Sequence, residues 1–111
     1  MDEHDTLQQK LMELGNRYLQ RTLGEVTRLR DLVEAVRAGQ GSAMKEIEQL
    51  AHKIYGSGSM FGFDAVSEHA RMLELLAGEN GGDPAFIERL ETCAASLEER
   101  VRSAARLRGM Q

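Results

Sequence analysis

Leu50-Ala51-His52-Lys53-Ile54-Tyr55-Gly56-Ser57-Gly58-Ser59-Met60-Phe61-Gly62-Phe63 reads as an amphipathic helix that carries one histidine on its wet side. At about 100° per residue, Ile47, Ala51, Ile54 and Gly58 fall on one stripe of a helix, with Met44, Leu50 and Tyr55 beside it. His52 then points about 130° away from the centre of that stripe, into water. Gly56 follows it by one turn and Ser59 by two, both on the histidine's side. A glycine inside a helix costs about 0.5–1 kcal/mol relative to alanine, so Gly56 and Gly58 each need a reason. Close approach of another molecule at Gly56 and close packing of a neighbouring helix at Gly58 provide one each. The alternative is that both glycines mark a fraying helix end. A solvent-facing imidazole cleared on one side by small residues is a surface that a bulky partner can reach.

Working outward, the rest of the chain reads as helices with short connections. Thr6-x-x-Gln9 predicts a capping box that opens a long first helix. Leu11, Leu14, Tyr18, Thr22, Val26, Leu29, Val33 and Val36 recur along it at spacings of three and four. Gly15 and Gly24 interrupt the pattern and allow a short extra N-terminal helix ahead of the main one. Ala38-Gly39-Gln40-Gly41 stops this helix, glycine being the usual stop. Ser42 predicts the N-cap of the histidine helix, which runs to about Ser59. A turn at Met60-Phe61-Gly62 leads to a third helix with Phe63, Val66, Ala70, Leu73 and Ala77 inward. Gly78-Glu79-Asn80-Gly81-Gly82 reads as a flexible loop. Asp83 as N-cap and Pro84 at the first helical position start the last helix, with Phe86, Leu90, Cys93, Leu97, Val101 and Ala104 buried. Amphipathic helices joined this tightly pack as antiparallel neighbours, so the expected fold is all-α, an up-down four-helix bundle. We read residues 1–111 as one domain with a core from about 8 to 106.

Composition narrows the function classes. The chain has 111 residues, 5% aromatics and one proline, which favours helices over a β-sandwich. Its net charge of -4 and the absence of a Lys/Arg-rich face argue against nucleic-acid binding. The one cysteine, Cys93, cannot form an internal disulfide and is expected as a small core residue. Met1-Asp2-Glu3-His4-Asp5 is acidic with no apolar segment behind it, so no signal peptide is expected. No apolar run approaches the ~18 residues that span a bilayer. A cytoplasmic, monomeric protein with no membrane contact is the expectation.

His52, with Gly at +4, Ser at +5 and Gly at +10, followed by Ala70, Leu73 and Glu74, resembles the histidine-containing phosphotransfer (HPt) domain family of bacterial phosphorelays. The resemblance covers roughly residues 8–106. It implies a phosphoryl carrier without kinase activity of its own, with His52 as phosphoacceptor. The implied partners are response-regulator receiver domains, with a hybrid histidine kinase as a further candidate. No cofactor is implied for this chain, since the receiver brings its own Mg²⁺ and lysine. The family usually has Lys at +3 from the histidine, where this chain has Tyr55; Lys53 at +1 lies about 100° round the helix. Glu48 and Gln49, one turn before His52, are placed to hydrogen-bond one ring nitrogen and leave the other free, although a solvated helix face explains them equally. Gly56, Ser59 and Lys45 are read as partner-facing.

Other readings compete with this one. His69 flanks the core of its own helix and reads as a packed histidine; His4 reads as a disordered polar residue of the leader. A metal site built on His52 and His69 lacks the Glu-x-x-His spacing of bundle metal centres, because Glu48-x-x-Ala51 misses the histidine. There is no phosphate-binding glycine loop followed by Lys-Ser/Thr and no Ser or Cys nucleophile with a plausible base. The nearest rival is a helical adaptor that binds receivers without being phosphorylated, and Tyr55 is the feature that favours it.

Overall fold

The computed structural model describes residues 3–110, with side chains from residue 6 onward. It contains four helices, α1 (Glu3–Arg37), α2 (Ala43–Met60), α3 (Asp64–Glu79) and α4 (Pro84–Leu107), and no strand among the described residues. Each helix packs on the one before it in the chain and α4 closes against α1, giving the antiparallel bundle. Leu19, Leu29, Ile47, Ile54, Leu73, Leu90 and Leu97 are fully buried at its centre. Burying one such side chain contributes about 1.5–3 kcal/mol. The exposed ion pairs between helices, such as Arg28–Glu46 at 2.9 Å, contribute about 0–1 kcal/mol each. The apolar stripes therefore decide the packing, and the charges decorate it.

Helix α1 differs from the sequence expectation at its start. It is already helical at Glu3, so Thr6 lies inside the first turns and does not open the helix. Nor does the chain break at Gly15 or Gly24: α1 is one continuous helix of 35 residues, and no separate N-terminal helix exists among the described residues. Gly15 has a packing role instead. A Cβ there would lie 2.8 Å from Arg108 Nη1, and that guanidinium reaches the Met12 carbonyl at 3.2 Å and Asn16 Oδ1 at 3.1 Å. Before that point α1 has outrun its partners. Leu11 and Leu14, expected inward, are exposed, together with Leu7 and Met12. His4 belongs to α1 by its backbone, so the leader is not irregular there; its side chain lies outside the described residues.

The connections follow backbone chemistry more than side-chain caps. Gly39, at φ +94°, turns the chain after α1 in the left-handed region that glycine enters without strain. Ser42 occupies the cap position of α2 but is itself helical and makes no side-chain cap bond. The Gln40 and Gly41 carbonyls accept from the Ala43 and Met44 amides, so the donors are already satisfied. Helix α3 continues through Gly78 and Glu79, two residues that the sequence pattern assigns to the loop, and ends where Asn80 turns left-handed at φ 53°. Asp83 caps α4 as expected, its Oδ1 accepting from the Phe86 amide at 2.7 Å with Pro84 in the first turn. On α4 the buried stripe is Phe86, Leu90, Ala94, Leu97, Val101 and Ala105. Cys93 and Ala104 stand one residue round from it and are only half-buried.

Gly58 lies in the last turn of α2, yet it is buried and has a packing role of its own. A Cβ there would meet Tyr18 Oη at 3.0 Å and Ser67 Cβ at 3.4 Å. The buried Tyr18 hydroxyl donates to the Ile54 carbonyl at 3.1 Å, and its ring stacks on Phe61 and Phe63 at 5.3 and 5.6 Å. Burial pushes the Tyr18 phenol above its usual range, so the hydroxyl stays a donor. Gly58→Ala should therefore destabilise the bundle: displacing a buried hydrogen bond costs about 1–3 kcal/mol, more than the ~1 kcal/mol of helix propensity gained. Gly24→Ala, with no atom within 4 Å of the added carbon, should stabilise by up to ~1 kcal/mol. Urea unfolding of both variants measures the contrast.

Candidate functional site

His52 stands on α2 with 67% of its side chain exposed. The periodicity that buries Ile47, Ala51 and Ile54 completely turns position 52 outward. Its ring is nevertheless held. Nδ1 lies 2.6 Å from Oε2 of Glu74, which reaches across from α3 and is only 14% exposed. An ionised carboxylate can only accept, so Nδ1 donates to it, and in the neutral ring Nε2 then keeps its lone pair. The other Glu74 oxygen, Oε1, accepts from Arg71 Nη1 at 3.1 Å. Arg71 also stacks its guanidinium over the Tyr55 ring, 5.3 Å from the centroid, and the Tyr55 ring lies 6.4 Å from that of His52. Two residues of α2 and two of α3 thus form a closed set of contacts around one carboxylate.

The residues singled out in the sequence divide around this set. Lys45, Glu48, Gln49, His52 and Glu74 line one shallow open cleft of about 320 Å³. The ring partner is Glu74, however, and not Glu48 or Gln49. Glu48 turns to Lys45, at 3.5 Å, and its Oε2 lies beside Gly78 of α3. Lys53 leaves the site altogether and pairs with Glu25 of α1 at 2.8 Å. Gly56 is exposed, and a Cβ added there would find no atom within 4 Å; Ser59 is exposed one turn further. Ser57 folds its hydroxyl back onto the Lys53 carbonyl at 2.8 Å, so it roughens that surface little. Glu74 belongs to the sequence pattern, but its reach to Nδ1 depends on the α2–α3 register. Arg71 carries no signal in the sequence that marks it for this site.

The other reactive groups lie elsewhere. His69 is half-buried and donates from Nδ1 to the Ala65 carbonyl at 2.8 Å, a packed histidine. It lines a larger groove of about 840 Å³ between α3 and α4, together with Cys93, whose thiol burial pushes up and keeps protonated. Among the described residues no group of three or more His, Cys, Asp and Glu side chains is arranged to hold a metal ion. Among them also, no helix is long and apolar enough to cross a membrane.

The family model of the Hpt domain matches residues 17–103, most of the chain. The chain belongs to the Hpt domain family. No curated protein and no solved structure gives a significant match to it. Membership assigns the chain a phosphotransfer-related role in two-component signalling, in which Hpt domains act as phosphorelay carriers and interact with response-regulator receiver domains. The match begins at Arg17, next to Tyr18, and leaves out the first turns of α1 that project beyond the bundle.

The anchored ring gives a direct expectation for this Hpt domain. Nitrogen-15 NMR of the imidazole should show a single neutral tautomer with the proton on Nδ1. Glu74→Ala should shift the ring toward the mixture usual for a free imidazole, with the circular dichroism of the bundle unchanged.

Proposed function

We propose that His52 takes a phosphoryl group from the aspartyl phosphate of one response-regulator receiver and passes it to the aspartate of another. The observation that carries this reading is the Glu74 carboxylate on Nδ1 of an otherwise exposed ring, which leaves Nε2 as the nucleophile facing solvent. The Nε2 lone pair attacks phosphorus, the N–P bond forms, and the P–O bond to the receiver aspartate breaks with release of its carboxylate. Nδ1 keeps its proton throughout, and the positive charge that develops on the ring is met by Glu74. Return transfer reverses the steps: a receiver carboxylate attacks phosphorus and the electron pair of the N–P bond goes back to Nε2.

The surroundings fit a carrier that depends on its partner. In-line transfer needs alignment and neutralisation of the phosphoryl oxygens, and in this reading the receiver brings Mg²⁺ and a lysine for most of that work. Gly56 and Ser59 keep the approach beyond the ring low, and Lys45 lies two turns away on the same side of α2. A cytoplasmic location, among the receivers, goes with this function.

Incubation with phosphorylated receivers tests the reading. The protein should acquire an acid-labile, alkali-stable label, as a phosphorus–nitrogen bond requires. His52→Gln should abolish it with the fold intact, and His69→Gln should leave it. Receiver binding without any label would instead support the adaptor reading that Tyr55 favours. Gly56→Leu should slow transfer from receivers by about tenfold, the effect of about 1.4 kcal/mol lost at the centre of an interface. Its melting temperature should hold or rise, because leucine is the better helix former.

A further inference from the structure

We propose that Arg71 of α3 is the cation that this protein itself contributes to phosphorylated His52, in the place left open by Tyr55. The inference rests on His52 being the phosphoacceptor. Arg71 Nη1 and His52 Nδ1 bind the two oxygens of one carboxylate, at 3.1 and 2.6 Å, so the guanidinium lies one Glu74 headgroup away from the ring. A guanidinium carries five N–H donors in a planar fork suited to phosphate, and only Nη1 is engaged with Glu74. The side chain is 46% exposed and its stem can swing toward the face of the ring that a partner approaches. Charges within the ~8 Å screening length at physiological salt still attract one another, so a guanidinium swung to that face acts on a phosphoryl group on Nε2.

The other nearby cations are less well placed. Lys53 is drawn to Glu25 on the far side of α2, and Lys45 is two turns up the helix on Glu48. Tyr55 has a definite part in the arrangement. Its ring is the platform on which the guanidinium lies, 5.3 Å away, so positions 55 and 71 address the same space from neighbouring helices. A lysine at position 55 would bring an ammonium into the region that Arg71 now serves. The net charge of His52, Glu74 and Arg71 is zero with a neutral ring; transfer adds PO3⁻, so the ring becomes an imidazolium met by Glu74 and the negative charge on the phosphoryl oxygens is left to the arginine. In the resting phosphorylated protein the negative charge sits on the phosphoryl oxygens, where a guanidinium makes charge-assisted hydrogen bonds. A cation held on those oxygens stabilises the phosphorylated state, and Arg71 is a positioning and stabilising residue for phosphohistidine.

The test uses phosphoramidate as a small phosphodonor, which removes the receiver and its own cations from the measurement. After labelling and removal of the donor, the half-life of phosphohistidine is followed by phosphorus-31 NMR. Arg71→Gln should shorten it by about threefold, the scale of a partly exposed charge contact, with an unchanged melting temperature. Arg71→Lys should restore most of the loss. Tyr55→Lys placed in the Arg71→Gln background should restore it as well, which a purely structural role for Arg71 does not predict. An unchanged half-life in Arg71→Gln, or failure of both lysine variants to rescue, would overturn the proposal while leaving His52 as acceptor. Absence of label on the unsubstituted protein would overturn the phosphoacceptor reading and this proposal with it.

Discussion

Tyr18 sits where three parts of the bundle meet. Its hydroxyl donates to the Ile54 carbonyl of α2, and its ring stacks on Phe61 and Phe63 in the turn that follows. This contact needs α1 to come close to α2, and only glycine at position 58 leaves the space. Ser67 adds a second hold on the same stretch of α2 by donating to the Tyr55 carbonyl at 2.7 Å. Two consecutive carbonyls, just after the histidine, are thereby bound from two different helices. That fixes the angle at which α3 leaves the turn and runs back along α2. Glu74 arrives beside His52 three turns later because the start of α3 has been set there.

The histidine cluster shows how an exposed ring can be held without being buried. Exposed ion pairs contribute little because water competes for both partners. Here the carboxylate, not the imidazole, is taken out of water: Glu74 is 14% exposed and His52 is 67% exposed. Sheltering the acceptor makes the hydrogen bond directional while Nε2 stays accessible. Arg71 keeps the sheltered carboxylate compensated when the ring is neutral. Tyr55 contributes an aromatic face rather than a charge, and packs against both sets of contacts.

The long first helix gives the molecule two ends of different character. Near Arg37 the bundle is complete, with α1 joined to α4 by the Arg37–Glu91 pair. At the other end α1 runs past the last turn of α4, and the Arg108 guanidinium lies against Gly15, Asn16 and the Phe63 ring. Beyond it, Leu7, Leu11 and Leu14 remain exposed. The same periodicity therefore means core over most of α1 and surface at its start, according to whether another helix is alongside.

Much of this was legible in the sequence because it follows from local rules. The helical period turned His52 outward and Ile47, Ala51 and Ile54 inward, and each element from α2 onward was located to within a residue or two. Asp83-Pro84 and Gly39 marked boundaries through their own backbone chemistry. Sequence reasoning went astray where a neighbour overrides the local signal: at Gly15 and Gly24, where a continuous helix persists; at Ser42, where backbone carbonyls already satisfy the amides; and at Cys93, displaced from the core by one residue of rotation. The ring's partner belongs to the same class. Glu48 and Gln49 are adjacent to His52 along the helix, and local spacing can nominate only such residues. Glu74 and Arg71 reach the site across the α2–α3 interface. Their approach is set by how closely two helices pack, and that depends on Tyr18, Gly58 and Ser67 acting together in three dimensions.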